Sequence, residues 1–393
     1  MKNILFINHD PLLYGPAQSL LILIKGLREK GYNCYVVVPA KGKLTELLEK
    51  EQFNYAIIRF HWWISAHDSS FRYYFKNIFK IDFWKMMVRK PLKVLYNIRV
   101  SLPKFKKLIN DWNIDVVYNN SMVTPIGILI KLRYKLPLIL HFRETLQDIG
   151  LDLPLSWFNY LVRKADAHIF ISEFLKTYYT NSALENSYVI YNSLSSTDLQ
   201  LSISKYNAVN RFVIVGRISR KKGQLIAIKA VHLVSNKYPN VKLLIVGDGD
   251  VIGLNEYINK HNLSANIELT GWDSNPGKYY SSSNCAIICS ENEAFGRATI
   301  EAMAYGLPVL GLAKAGTIEL IQDQYNGYLF QDEEELAQLM IKLIENPQLA
   351  NTMGRNAHTF ANSKFNPIVH VDVIENIILR VYNGSKKVDC ISV

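Results

Sequence analysis

Short apolar runs alternate with amphipathic stretches along almost the whole chain, which is the pattern of parallel strands joined by crossover helices. These runs predict strands at 4–8, 35–39, 56–59, 115–118, 138–141, 167–171 and 188–191, with a helix at about 19–30 after the first. A polar, turn-rich stretch over 195–210 interrupts the series. It restarts at 212–215 and continues through 243–246, 267–269, 286–289 and 309–312. The halves repeat one architecture without repeating one sequence, so the expected fold is α/β with two Rossmann-like domains, 1–200 and 201–366. The stretch from about 367 to 382 reads as a closing helix ended by Asn383-Gly384, with frayed residues beyond. This segment, 367–384, is expected to pack back on the N-terminal domain.

At 393 residues the chain exceeds what one hydrophobic core usually supports, in keeping with two domains. Hydrophobic residues at 49% and charged residues at 20% are those of a folded protein rather than a disordered one. The formal net charge is +11, and its location matters more than its size. Residues 1–200 carry 26 Lys/Arg against 16 Asp/Glu, whereas 201–393 carry 19 against 18. Most of the excess sits in 59–107, where 12 cations face only Asp68 and Asp82 and interleave with aromatics such as Trp62, Trp63, Tyr74 and Trp84. Such a block suits an anionic bilayer surface, each cation adding about 1 kcal/mol. A plain solvated face with buried aromatics competes with that reading, and single-stranded nucleic acid fits less well.

The N-terminal MKNILFIN is too short for a signal-peptide core and reads as a first strand. No window holds 18 uninterrupted apolar residues, so no transmembrane helix is expected. The expectation is a cytoplasmic protein on the inner face of the cell membrane. Cys34, Cys285, Cys289 and Cys390 are scattered, with no second pair at metal-ligand spacing, and read as reduced thiols.

The densest candidate chemistry is ENEAFGRATIEAMAYGLPVLG, 291–311. Glu293 lies in a loop after a strand and Glu301 about two turns into the next helix. That helix begins near Phe295-Gly296, where free backbone N–H groups and the positive dipole end suit a phosphate. A glycine there lets a diphosphate come close to the backbone. A carboxylate on each side can bind hydroxyls of a sugar and of a ribose, although two exposed glutamates alone are usually a solvated helix face.

With this string the chain resembles the family 4 retaining glycosyltransferases of the GT-B fold, whose hallmark is the Glu-x7-Glu segment. The GT-B resemblance implies two parallel sheets facing an interdomain cleft. It spans roughly 1–380 and is tightest over 212–330. It implies that Glu293 binds the donor sugar and Glu301 the nucleotide ribose. A second match, VGRISRKKGQ at 215–224, implies that Arg217 and Lys222 clamp the donor diphosphate and stabilise its charge as the glycosidic bond breaks. Arg220 and Lys221 read as a solvated turn. HFRE at 141–144 implies His141 as the donor-site histidine, with Arg143 a candidate on the acceptor side.

HDPLLYGPAQSL at 9–20 matches the family's glycine loop but departs from its usual Gly-Gly-Ala-Glu, reading Gly15-Pro16-Ala17-Gln18. Pro16 has no N–H, which puts the usual second-glycine amide contact in question. Gly15 remains a donor-loop candidate and Gln18 an acceptor-side one. Asn192, Gly247-Asp248-Gly249, Gly316 and Glu319 are minor matches, the glycines reading as structural turns.

The chain has no G-x-G-x-x-G dinucleotide fingerprint and no P-loop. The resemblance therefore implies a hexose-type sugar moved with retention from a UDP- or GDP-sugar to a glycan or lipid-linked acceptor in bacterial polysaccharide biosynthesis. It implies neither a metal nor a cofactor, the nucleotide-sugar being a co-substrate, and no nucleic-acid partner. Two alternatives are a GT-B sugar-nucleotide epimerase, which would not be expected to carry this glutamate block, and a noncatalytic nucleotide-sugar-binding subunit.

Overall fold

The computed structural model describes residues 2–65, 81–146, 150–179, 184–200 and 207–389. The chain forms two compact units, one made of Met1–Tyr191 with Pro367–Val393 and the other of Asn192–Asn366. The first unit closes at Tyr191, ahead of the turn-rich stretch 195–210.

In the first unit the elements run β1 (Asn3–Ile7), α1 (Gly15–Glu29), β2 (Asn33–Val38), α2 (Lys43–Lys50), β3 (Asn54–Ile57), β4 (Ile64–Ser65), α3 (Ile81–Tyr96) and α4 (Leu102–Asp111). They continue with β5 (Val116–Asn119), α5 (Ile126–Tyr134), β6 (Leu138–Phe142), β7 (Gly150–Leu151), α6 (Leu155–Val162), β8 (Ala167–Phe170), α7 (Glu173–Tyr179) and β9 (Ser187–Val189). A π-helical turn, Asn97–Ser101, joins α3 to α4. Seven strands form one parallel sheet in the order β3-β2-β1-β5-β6-β8-β9, while β4 and β7 pair antiparallel.

The central strands are apolar on both faces because helices cover both. Ile4, Leu5, Phe6 and Ile7 have no exposed surface. The strand order reverses between β1 and β5, leaving a crevice at their carboxyl ends where such sheets hold ligands.

The second unit runs β10 (Arg211–Val215), α8 (Gln224–Ser235), β11 (Lys242–Val246), α9 (Ile252–Lys260), β12 (Ile267–Gly271), α10 (Gly277–Ser281), β13 (Cys285–Ile288) and α11 (Arg297–Ala304). Then come β14 (Val309–Leu312), α12 (Thr317–Leu320), β15 (Gly327–Phe330), α13 (Glu333–Glu345) and α14 (Pro347–Lys364). Its parallel sheet has the order β12-β11-β10-β13-β14-β15, so the reversal falls between β10 and β13. Phe212, Leu243, Ile245, Ile287 and Phe330 from the strands pack with Ile228, Val231 and Met340 from α8 and α13. Each fully buried side chain of this size contributes about 1.5–3 kcal/mol.

The closing helix, α15 (Pro367–Asp389), corrects one expectation. Asn383-Gly384 does not stop it. A helical glycine costs only about 1 kcal/mol relative to alanine, and Gly384 does not take the left-handed conformation of a helix-ending cap. Ile374, Ile377 and Ile378 of α15 share a core with Leu20, Leu23 and Ile24 of α1. The helices approach closely enough that a Cβ on Gly26 would lie 2.6 Å from Val371. Helix α1 itself starts at Gly15, one turn earlier than its apolar pattern indicates, with Pro16 in the first turn.

Cys34, Cys285 and Cys289 are buried and unpaired, and burial pushes the thiols of Cys34 and Cys289 up to about 12. Cys390 lies outside the described residues. Among the described residues no helix is long and apolar enough to cross a membrane.

Candidate functional site

The predicted residues gather at the two switch points, one in each unit. In the second unit, β10 ends at Val215 and the chain turns through Gly216 and Arg217. A parallel bridge ties Ile218 to Gly249, after β11. Gly247 is required here: a Cβ on it would lie 2.0 Å from the Gly216 carbonyl, and its φ is +152°. Arg217 is exposed, and its carbonyl accepts from Gln224 Nε2 at 3.0 Å.

One 3-10 turn, Arg220–Lys222, then leads into Gly223, whose left-handed φ of 67° starts α8. That turn aims Lys222 at the end of β13, where Lys222 Nζ donates to Glu293 Oε2 at 2.6 Å. Both side chains keep some solvent contact, 39% for Lys222 and 18% for Glu293.

Glu293 sits in the loop after β13, pinned by its own carbonyl, which accepts from Gly316 N at 2.8 Å. Gly296, with a φ of 107°, occupies the N-cap position of α11. The Phe295 ring is buried edge-on against Phe365 at 5.9 Å, so this side chain anchors the loop and only its backbone lies at the helix start. Two turns on, Glu301 Oε1 accepts from Arg297 Nη2 at 2.9 Å. Burial raises the Glu301 carboxyl, and Arg297 pulls it back. Thr299 Oγ1 and Thr317 Oγ1 are buried without a hydrogen-bond partner. Glu319 lies on α12, half-buried.

The corresponding edge of the first unit has a different character. His141, at the end of β6, is fully buried. Its Nδ1 lies 2.6 Å from the Tyr118 hydroxyl and 3.2 Å from Arg143 Nη2. A guanidinium can only donate, so Nδ1 accepts and the ring proton is assigned to Nε2, which has no partner. Burial, reinforced by Arg143, holds this imidazole well below its usual range, hence neutral. Arg143 is itself buried, its Nε shared between the backbone and side-chain oxygens of Asn120 at 3.0 and 3.1 Å.

Around this core lie three groups that the motifs did not single out. His9 Nε2 stands 4.0 Å from Glu144 Oε1, and the other Glu144 oxygen accepts from Ser121 Oγ at 2.9 Å. Burial lowers His9 to about 4 and raises Glu144 to about 7, with Ser121 and Arg143 opposing the latter shift. His370 of α15 is also lowered to about 4 by burial. His9 Nδ1, Glu144 Oε1 and His370 Nε2 are buried without hydrogen-bond partners. Gly15 is the first residue of α1 and Gln18 is exposed on its first turn. His9 and Glu144 fall inside the quoted motifs, which gave neither a role. His370 reaches the cluster only because α15 returns to this unit, which local spacing does not signal.

Comparison with known proteins agrees across the chain. The family model described as Glycosyltransferase Family 4 matches residues 14–196, and Glycosyl transferases group 1 matches residues 199–360. An uncharacterized glycosyltransferase of Methanocaldococcus jannaschii is 34% identical over 171 residues, covering 35% of this chain and 42% of that protein, which is less than half its length. The alpha-monoglucosyldiacylglycerol synthase of Acholeplasma laidlawii is 23% identical over 411 residues, covering 96% of each. Anabaena HepE in complex with UDP superposes with a TM-score of 0.77 at 20% identity, over 97% of this chain and 100% of that one. With its two parallel-sheet Rossmann-like units and matched family models on both, the chain belongs to the family 4 glycosyltransferases of the GT-B fold.

Proposed function

We propose that the protein transfers a hexose-type sugar, with retention of configuration, from a UDP- or GDP-sugar to a glycan or lipid-linked acceptor in polysaccharide biosynthesis. The observation that carries this reading is the 2.6 Å Lys222–Glu293 pair at the β10/β13 switch point, beside the Gly296-capped start of α11. Lys222 and Arg217 neutralise the donor diphosphate, with helix-start amides beside them. Glu293 takes hydroxyls of the transferred sugar and Glu301 those of the ribose. His141, with its unpartnered Nε2, donates to a sugar hydroxyl. Gln18 faces the acceptor and Arg143 holds His141 and Asn120 in place.

In the proposed step the bond from the sugar's anomeric carbon to the diphosphate oxygen breaks, and the bond to the acceptor oxygen forms on the same face. The acceptor's proton passes to the departing phosphate, so no enzyme nucleophile is needed. The reaction as proposed uses no metal and no organic cofactor. UDP bound to HepE supports a nucleoside diphosphate ligand, and the lipid product named for the Acholeplasma relative supports a lipid acceptor, which we place at an anionic membrane surface.

A thermal-shift screen of UDP- and GDP-sugars, followed by turnover of the best donor, tests the reading. Wild type should be stabilised and should release nucleotide, and Glu293→Ala should lose turnover. Wild type that binds a donor yet transfers nothing to any acceptor would mark a binding subunit instead.

A further inference from the structure

From Arg89 onward, helix α3 and the π-helical turn after it turn polar side chains inward and large apolar ones toward water. The side chains turned inward are polar. Lys90 and Lys93 meet Asp152 at 3.7 and 2.9 Å, and the Asp152 side chain is only 3% exposed. Asn97 is buried and grips His61 by both its N–H and its carbonyl, each at 2.8 Å. Ser101, also buried, donates to the Arg59 carbonyl at 2.8 Å. The side chains turned outward include four large apolar ones, Leu92, Val94, Leu95 and Ile98, which are 45–55% exposed between the exposed Arg89 and Arg99.

Scattered exposed hydrophobics are ordinary, but a contiguous stripe opposite a polar inner face is not. Next to the stripe lies a groove of about 630 Å³ bounded by Ile98, Leu102, Tyr134, Lys106, Arg133 and Lys135. It is lined by three cations and no carboxylate. Lys106 and Arg133 flank the Tyr134 ring at 5.1 and 5.8 Å.

We infer that this face docks onto an anionic phospholipid bilayer, with Leu92, Leu95 and Ile98 entering the acyl boundary and Lys106, Arg133 and Lys135 taking lipid phosphates. An apolar stripe calls for an apolar phase, and the adjoining carboxylate-free cations choose one bordered by negative charge. A second copy of the chain would satisfy the stripe but would bring the same cations together. The inference rests on the reading of an acceptor at an anionic membrane and gives that reading a location. Arg133 and Lys135 lie outside the basic block of the sequence.

The test is vesicle co-sedimentation of the full chain, with phosphatidylcholine alone and with phosphatidylcholine mixed with phosphatidylglycerol. Thermal stabilisation by UDP and by GDP is measured in parallel. Wild type should prefer the anionic vesicles. Lys106→Gln/Arg133→Gln/Lys135→Gln should weaken that binding roughly a hundredfold, at about 1 kcal/mol per cation. Leu92→Ser/Leu95→Ser/Ile98→Ser should weaken binding at both low and high salt, with UDP stabilisation unchanged in either variant. Equal binding of wild type to both vesicle types, or none to either, would overturn the inference. So would a wild-type dimer in lipid-free solution that the serine variant dissociates, or stabilisation by inorganic phosphate without vesicle binding. Vesicle binding without any response to UDP or to GDP would instead sink the transferase reading and leave the docking face standing.

Discussion

The switch points of the two sheets share one topology and hold opposite chemistry. In the second unit the edge between β10 and β13 carries a lysine–carboxylate contact that is still open to solvent. In the first, the edge between β1 and β5 is desolvated, with imidazoles held neutral and hydrogen-bonding atoms left unfilled. The fold supplies a crevice in both cases, and the side chains decide what fills it. A half-exposed cation beside a helix start suits phosphate, whose charge repays a partial loss of hydration. A buried, mostly neutral cluster suits hydroxyls, which can fill the orphaned donors and acceptors without bringing charge into a low-dielectric site.

Breaking the charged edge should have the largest effect. Glu293→Gln keeps the shape and removes the charge, so kcat/KM should fall by about 100- to 1,000-fold, a loss typical of one transition-state contact. Stability should change by less than about 1 kcal/mol, because partly exposed ion pairs contribute little. Steady-state kinetics with a melting curve on the same sample separates these outcomes. A large drop in melting temperature with near-normal kcat/KM would make the pair structural and erase the contrast.

Next comes the turn that aims Lys222. Gly223 is left-handed, and a Cβ there would lie 2.3 Å from the Cys289 carbonyl. Gly223→Ala should therefore cost about 2–4 kcal/mol, the sum of a strained backbone and an overlap with a strand that cannot yield. Urea unfolding measures that loss, and weakened nucleotide binding should accompany it because Lys222 is displaced. A variant with unchanged stability would show that the 3-10 turn is not fixed against β13.

The neutral edge can be read out by pH. His9 and His370 have folded values of about 4, below 6.5, so each contributes stability present above pH 6.5 and lost as pH falls toward 4. Glu144 has a raised value of about 7, so its contribution is present below about 4.5 and lost as pH rises through 7. The two histidines outweigh the one glutamate, and wild type should lose stability on acidification from pH 6.5 to 4. Glu144→Gln removes the opposing term. Relative to wild type it should gain on the order of 2 kcal/mol at pH 8 compared with pH 4.5, allowing for partial exposure. Urea midpoints across that range check the sign. A flat difference would mean that the cluster is already hydrated and not the desolvated counterpart of the charged edge.

How much of this was legible in the sequence varies with how local the cause is. Strands buried on both faces announced themselves, and Glu293, Glu301, Arg217 and Lys222 lay in contiguous strings whose strand–turn–helix context could be read directly. What escaped depends on distant partners. Strand β15 is short and follows only a four-residue helix, so its run Gly327–Phe330 carries little periodic signal. Asn383-Gly384 looked like a stop because turn chemistry is read locally, whereas α15 is held by apolar contacts with α1. The inward-facing polar side of α3 is intelligible only once Asp152 and His61 are known to lie beneath it.

Pro16 is where the two edges are compared most finely, and where the smallest effect is expected. In a loop that must offer a second amide to phosphate, a proline would be damaging. Here it occupies the first turn of α1, where N–H groups have no intrahelical partner and the fixed φ of proline suits the helix. Its carbonyl accepts from Asn120 Nδ2 at 3.1 Å, tying the turn to the residue that also holds Arg143. An edge that takes hydroxyls, as proposed for the first unit, loses nothing by lacking that amide. Pro16→Gly should then leave kcat/KM within about threefold and lower stability by about 0.5–1 kcal/mol, chiefly by loosening the unfolded chain. A clear gain in activity or in nucleotide affinity would mean that this edge too grips the diphosphate, and that the division between charged and neutral edges is drawn in the wrong place.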